Sequence, residues 1–247
     1  MDRRSFLKRC AHVGTLGALA KRRWRDGGLD VRVWLSERAA RRDGAGRRAA
    51  EYLALAFGAV RDDVSVTRGG TVAVGHEHGY EVVRSGEWPG ALAAGLAGEG
   101  DVDPVDDVNL LVTDGPMADA PTGMGGAHVA AVGGARHLAA MPPADEVGPV
   151  VPYSTPARVT QVLLHECGHA LGLSHDHGTV ERRGEAEVAT PMLSSYAWTD
   201  GGGDCGCGTA ARGDGDADRR LSFRFSDRAA EAISAYDGET RLPALRE

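Results

Sequence analysis

His165-Glu166-Cys167-Gly168-His169-Ala170-Leu171-Gly172-Leu173-Ser174-His175 is the stretch on which both fold and chemistry turn. On an α-helix, residues four apart lie about 6 Å from each other along the axis and share a face. His165 and His169 therefore reach one metal ion together. Glu166 projects near the same face, close enough to meet a water on that metal without being a ligand. Gly172 tolerates the positive φ that other residues resist, and a sharp bend there brings His175 back as a third ligand. Three neutral imidazoles with a water in the fourth position make an open tetrahedral site, as catalytic zinc needs. Structural zinc sites favour cysteine and close all four positions, and in such a site Glu166 would have no task. The expected cofactor is Zn2+.

The helix carrying the first two ligands is strongly signalled. Thr155 serves as N-cap, and Pro156 takes the first helical position, where its missing N–H costs nothing. Val159, Leu163, Cys167, Ala170 and Leu171 form one apolar stripe, opposite Val162, His165, Glu166 and His169. Upstream, Leu29–Leu35 alternates apolar and polar as a half-buried strand does. An amphipathic helix follows over roughly 45–58, from the spacing of Ala49, Ala50, Leu53, Ala54 and Phe57. Short β-like runs come at Val64–Thr67, Thr71–Val74 and Tyr80–Val83, then a buried strand at Val108–Thr113. A Gly/Pro/Met loop occupies Asp114–Gly126, and Ala127–Val132 reads as a further strand. After the motif the chain is loop-rich through Asp200–Arg220. A last helix starts at Ser226 or Asp227 and runs to about Tyr236, before Gly238.

His165, Glu166, His169, Gly172 and His175 occupy every fixed position of H-E-x-x-H-x-x-G-x-x-H, and in this the chain resembles the metzincin zinc metalloproteases. Metzincins carry a methionine-containing turn beneath the zinc. Met192, in Thr190-Pro191-Met192-Leu193, lies 17 residues after His175 and matches it. In some members a tyrosine two residues after that methionine reaches the zinc. Here Tyr196 comes four residues after it, an accessory candidate only. Asp176, directly after the third histidine, resembles the adamalysin branch, where such an aspartate serves structure. The resemblance implies an α+β fold in two lobes. A mixed, twisted sheet and the active-site helix lie above, the Met-turn and C-terminal helix below, with the substrate cleft between. Substrate in that family lies antiparallel to an edge strand, for which Ala127–Val132 is the candidate. It also implies a zinc endopeptidase acting on protein or peptide substrates, with Glu166 as general base and then acid. Two rival classes remain, a zinc hydrolase of a non-protein substrate and a non-catalytic metal-binding protein.

Composition narrows the partners. The 247-residue chain carries a net charge of −7, which argues against nucleic acid. At the N-terminus, Arg3-Arg4-Ser5-Phe6-Leu7-Lys8 resembles a twin-arginine export signal. The apolar stretch Cys10–Ala20 behind it is too short to span a bilayer. The expected organisation is a leader over 1–25 and a catalytic domain over 26–247, secreted or at the cell surface. Removal of the leader takes Cys10 and leaves Cys167, Cys205 and Cys207, an odd number. Cys167 falls on the apolar stripe, as a core residue or disulfide partner. His76-Glu77-His78 reads as an exposed polar turn before a second metal site. Asp214, Asp216 and Asp218 read as a solvated acidic loop, since a calcium loop requires a Gly that is absent.

Overall fold

The computed structural model describes residues 28–117, 123–194 and 218–238. Among them the protein is a mixed α/β structure with two sheets and six α-helices. In chain order these are β1 (Leu29–Ser36), α1 (Ala45–Gly58), β2 (Val64–Val72), α2 (Gly79–Arg84), α3 (Glu87–Leu96), β3 (Val108–Val112), β4 (Gly123–Gly126), β5 (Val129–Val132), α4 (Ala135–Ala139), β6 (Val150–Pro152), α5 (Thr155–Ala170), β7 (Val180–Arg183), β8 (Ala186–Ala189), β9 (Asp218–Ser222) and α6 (Asp227–Ser234). Among the described residues, no helix is long and apolar enough to cross a membrane.

The larger sheet has the order β2-β1-β3-β5-β4, parallel except for β4, which pairs antiparallel with β5. A parallel sheet is stable when both faces are covered, and here they are. Val31, Val33, Leu110, Val112, Ala130 and Val132 face a core shared with α1 and α5. Trp34, Leu111, Val129 and Ala131 face a smaller cluster with Val82 of α2 and Trp88 and Leu92 of α3. This double coverage explains why β3 is buried at every position.

The smaller sheet has the order β6-β9-β8-β7. It is joined to the main core through aromatic pairs. Phe223 meets Tyr52 edge-on at 5.0 Å between ring centroids, and Phe225 meets Phe57 at 5.2 Å. Ser226 caps α6, which buries Ala229 and Ile233 on one face.

Several expectations need correction. Tyr80–Val83 is not a strand but the body of α2. Only Val82 there is fully buried, and Glu81 and Arg84 sit at the ends that suit the helix dipole, so packing on β5 overrides the β-preference of the two valines. The runs at Val64 and Thr71 are one strand, β2. The N-cap of α5 is Ser154, whose Oγ accepts from Ala157 N, one residue before the expected Thr155. The strand within Ala127–Val132 begins at Val129 and is interior, between β3 and β4. Ala127 and His128 form a turn with positive φ. The sheet edge is β4, inside what reads from sequence as a loop. Asp218–Ser222, the end of the expected loop-rich region, is strand β9.

Candidate metal centre

The end of α5 is where the site begins. Gly172 adopts φ +86°, the left-handed conformation in which glycine is least strained. Gly172 N donates to His169 O at 3.0 Å and Leu173 N to Gly168 O at 3.0 Å, the paired bonds of a Schellman motif. That cap has a second consequence. It turns the Leu173 carbonyl onto His169, whose Nδ1 lies 2.7 Å away. The chain then passes through a 3-10 turn, His175–His177, that delivers the third imidazole.

The other half is held by the hairpin of β7 and β8. His175 lies just before this hairpin and the Met192 turn just after it, so both emerge at its open end. Thr190 closes that end, its N donating to Thr179 O and its Oγ1 accepting from Thr179 N at 2.9 Å. Leu193 N bonds Thr190 O at 3.1 Å to form the turn, and Pro191 within it presents its carbonyl 2.8 Å from His165 Nδ1. Met192 is fully buried beneath the helix. A Cβ on Gly168 would strike its Sδ, and one on Gly178 would strike the Met192–Leu193 backbone. Both glycines are therefore needed for this close approach.

His169 Nε2 is 3.0 Å from His165 Nε2 and 3.2 Å from His175 Nε2. A tetrahedral zinc with Zn–N near 2.05 Å sets its ligands about 3.3 Å apart, so the spacing fits. The proton arrangement fits too. Pro191 O and Leu173 O can only accept, so His165 and His169 carry their protons on Nδ1. Their Nε2 lone pairs then face each other with no hydrogen between them, an arrangement that a cation relieves. Burial pushes His165 down to about 3 and also lowers His169 and His175, which keeps all three imidazoles neutral and able to ligate. Among the described residues this is the only group of three or more His, Cys, Asp or Glu side chains that converges in a way that could hold a metal ion.

Glu166 lies on the same cavity, of about 240 Å³, with the three histidines. Its carboxyl is buried, which raises it to about 8 against the opposing hydrogen bond of the Gly125 amide. Strand β4 runs tight against it, since a Cβ on Gly123 would meet the Glu166 carboxylate and one on Gly125 the Glu166 carbonyl. Gly-x-Gly in a strand strips one face of side chains, and that face receives the helix.

Of the other residues read from sequence, Asp176 is exposed and meets α6 through its carbonyl, which accepts from Arg228 at 3.2 Å. Tyr196, Cys205, Cys207, Asp214 and Asp216 lie outside the described residues, as does the leader. Asp218 opens β9 and pairs with Arg220 at 2.8 Å. Cys167 is fully buried as a free thiol, and burial pushes it up, away from reactivity. His76-Glu77-His78 forms no ligand set: His76 pairs with Glu87, and Glu77 binds Ser36 and the Asp114 amide. Sequence reasoning missed Gln161, Tyr80, Gly123, Met124 and Gly125 as cavity lining. Gln161 had a usable signal, one helical turn before His165 on the same face; Tyr80 had none.

No family model matches the chain, and no curated protein matches it. Among solved structures it is similar to archaemetzincin from Methanopyrus kandleri, with 17% identity, 85% of this chain and 96% of that chain covered, and a TM-score of 0.43. That likeness is distant, and the chemistry of the centre rests on this chain's own residues.

Proposed function

We propose that this chain is an exported, zinc-dependent endopeptidase with His165, His169 and His175 as metal ligands and Glu166 as general base. The observation that carries the reading is the proton arrangement of the triad. Two backbone carbonyls fix the Nδ1 protons, so neutral Nε2 lone pairs converge at zinc-ligand spacing. Zinc bound there supplies Lewis-acid polarisation of a carbonyl and a water acidified toward neutral pH. The remaining work falls to the chain. Glu166 follows the first ligand directly and takes the proton of the attacking water on its carboxylate. It then returns that proton to the nitrogen of the departing amine. Burial favours the protonated carboxyl, while a nearby cation favours the carboxylate, so the group is poised to hold and release a proton. The Gly125 amide steadies the ionised form. Strand β4, an edge of the larger sheet among the described residues, runs beside the cavity, where an extended peptide would add to the sheet.

Residues 1–25 are proposed as a twin-arginine leader and 26–247 as the catalytic domain. Replacing Arg3 and Arg4 together with Lys should retain the protein in the cytoplasm, and unchanged export would remove the leader from the reading. The decisive experiment measures zinc content and cleavage of casein or a quenched peptide by wild type and Glu166→Ala. Zinc in both, with cleavage in wild type alone and lost on chelation, is the expected result. Normal proteolysis by Glu166→Ala would overturn its role. Zinc in both with cleavage in neither would move the reading to a non-protein substrate or a metal-binding protein.

A further inference from the structure

Gln161 stands one helical turn before His165 and lines the same cavity. It is only 9% exposed. Its Nε2 lies 3.2 Å from Ala189 O and 3.2 Å from Thr190 O, at the junction of β8 and the Met192 turn. Both partners are acceptors, so the amide cannot be flipped: the nitrogen faces the carbonyls, and Oε1 is the end left over. No hydrogen bond among the described residues reaches Oε1, and it is not sealed from solvent as a wholly buried orphan would be. The same cavity is lined by apolar groups from Val162, Pro191 and Leu193 as well as by polar ones, Ser194 among them. An acceptor held rigidly in a cavity that also offers apolar lining discriminates between ligands, because a partner without a donor leaves it unpaired once water is displaced.

We propose that Gln161 Oε1 is a specificity-determining acceptor, selecting substrates whose side chain next to the cleaved bond has an apolar body and a hydrogen-bond donor at its end. This rests on the peptidase reading of the same cavity. The Nε2 clip fixes the acceptor's direction, and the same bonds tie the helix to the turn beneath the triad. A single neutral hydrogen bond in such a place corresponds to roughly a 2- to 12-fold preference.

The test uses zinc-loaded full-length Glu166→Ala, which binds peptide without turning it over. Fluorescence anisotropy compares peptides differing only in the donor, Tyr against Phe and Gln against Met, next to the bond. The donor member of at least one pair should bind several-fold more tightly. That preference should vanish in Glu166→Ala/Gln161→Met while binding of the apolar member holds. A purely structural Gln161 would instead weaken both members equally. Equal binding of both members in both pairs, or binding of neither, overturns the proposal. Parallel wild-type cleavage separates the two readings. Discrimination in binding without any cleavage leaves Gln161 its role and removes the peptidase. Cleavage without discrimination does the reverse.

Discussion

The chain has two clusters of histidine and glutamate, at 76–78 and at 165–175, and they differ in almost every physical respect. His76 is exposed and paired with Glu87, which raises it above the ordinary imidazole value. His165 is buried, with a backbone carbonyl on Nδ1, and is pushed down to about 3. Glu77 spends its carboxylate on local structure, accepting from Ser36 Oγ at 2.8 Å and Asp114 N at 2.7 Å. Glu166 accepts from the Gly125 amide and otherwise faces a cavity. Histidine and glutamate together do not make a metal centre. What makes one is a spacing that points imidazoles the same way, and acceptor-only neighbours that leave their Nε2 lone pairs with nothing to bind.

The largest effect should come from removing a ligand in one cluster and its counterpart in the other. His169→Ala should abolish zinc retention and cleavage, while His76→Ala should keep both. A metal at a thousandfold excess over its Kd stabilises the folded state by about 4 kcal/mol. Chelation should therefore lower the Tm of wild type and His76→Ala by on the order of 10 °C and leave His169→Ala unmoved. Equal zinc in His169→Ala and wild type, measured by elemental analysis, would erase the distinction between the clusters.

How much of this was legible in the sequence follows from the range of the interactions. The convergence of His165, His169 and His175, the bend at Gly172 and the limits of α1 rest on local periodicity and local backbone needs, and the structure has them where the spacing puts them. The small sheet does not work that way. Its strands β6 and β9 are some 70 residues apart in the chain, each is short, and neither alternates cleanly. Tyr80 and β4 illustrate the same limit. The valines around Tyr80 look like strand until β5 is there to pack a helix, and Gly-Met-Gly-Gly looks like loop until α5 lies against it. The carbonyls of Pro191 and Leu173 were out of reach too, since backbone acceptors leave no mark on residue type.

Acid should separate the clusters next. Three lowered imidazoles bind protons in the unfolded chain near pH 6.5 but resist them when folded, so their contribution to stability is present above that pH and lost as pH falls below it. Each contributes a slope of up to about 1.4 kcal/mol per pH unit. Glu166 opposes them, because its raised value makes the folded state hold a proton that the unfolded state releases above about pH 4.5. His76 and Asp107, also raised, oppose in the same sense, and the lowered His137 adds to the triad, so up to four protons against three leave the lowered imidazoles ahead. Zinc-free protein should lose Tm between pH 6.5 and pH 5, and His165→Gln should flatten that loss. An acid-insensitive Tm in the zinc-free wild type would mean that the triad is not held neutral by burial.

The smallest effect belongs to Glu77→Ala, and it is the one that tests whether the first cluster is structural. The substitution removes the acceptor of both Ser36 Oγ and Asp114 N, two bonds to a charged group at a half-buried position. Water replaces part of that loss, so a cost of about 1–3 kcal/mol is expected, seen as a fall of a few degrees in Tm. Zinc content should not change, because Glu77 and its partners Ser36 and Asp114 are not among the residues that line the cavity of the triad. If zinc content fell in Glu77→Ala as it does in His169→Ala, the two clusters would be parts of one centre, and the contrast between a paired and an open set of imidazoles would no longer account for where the metal goes.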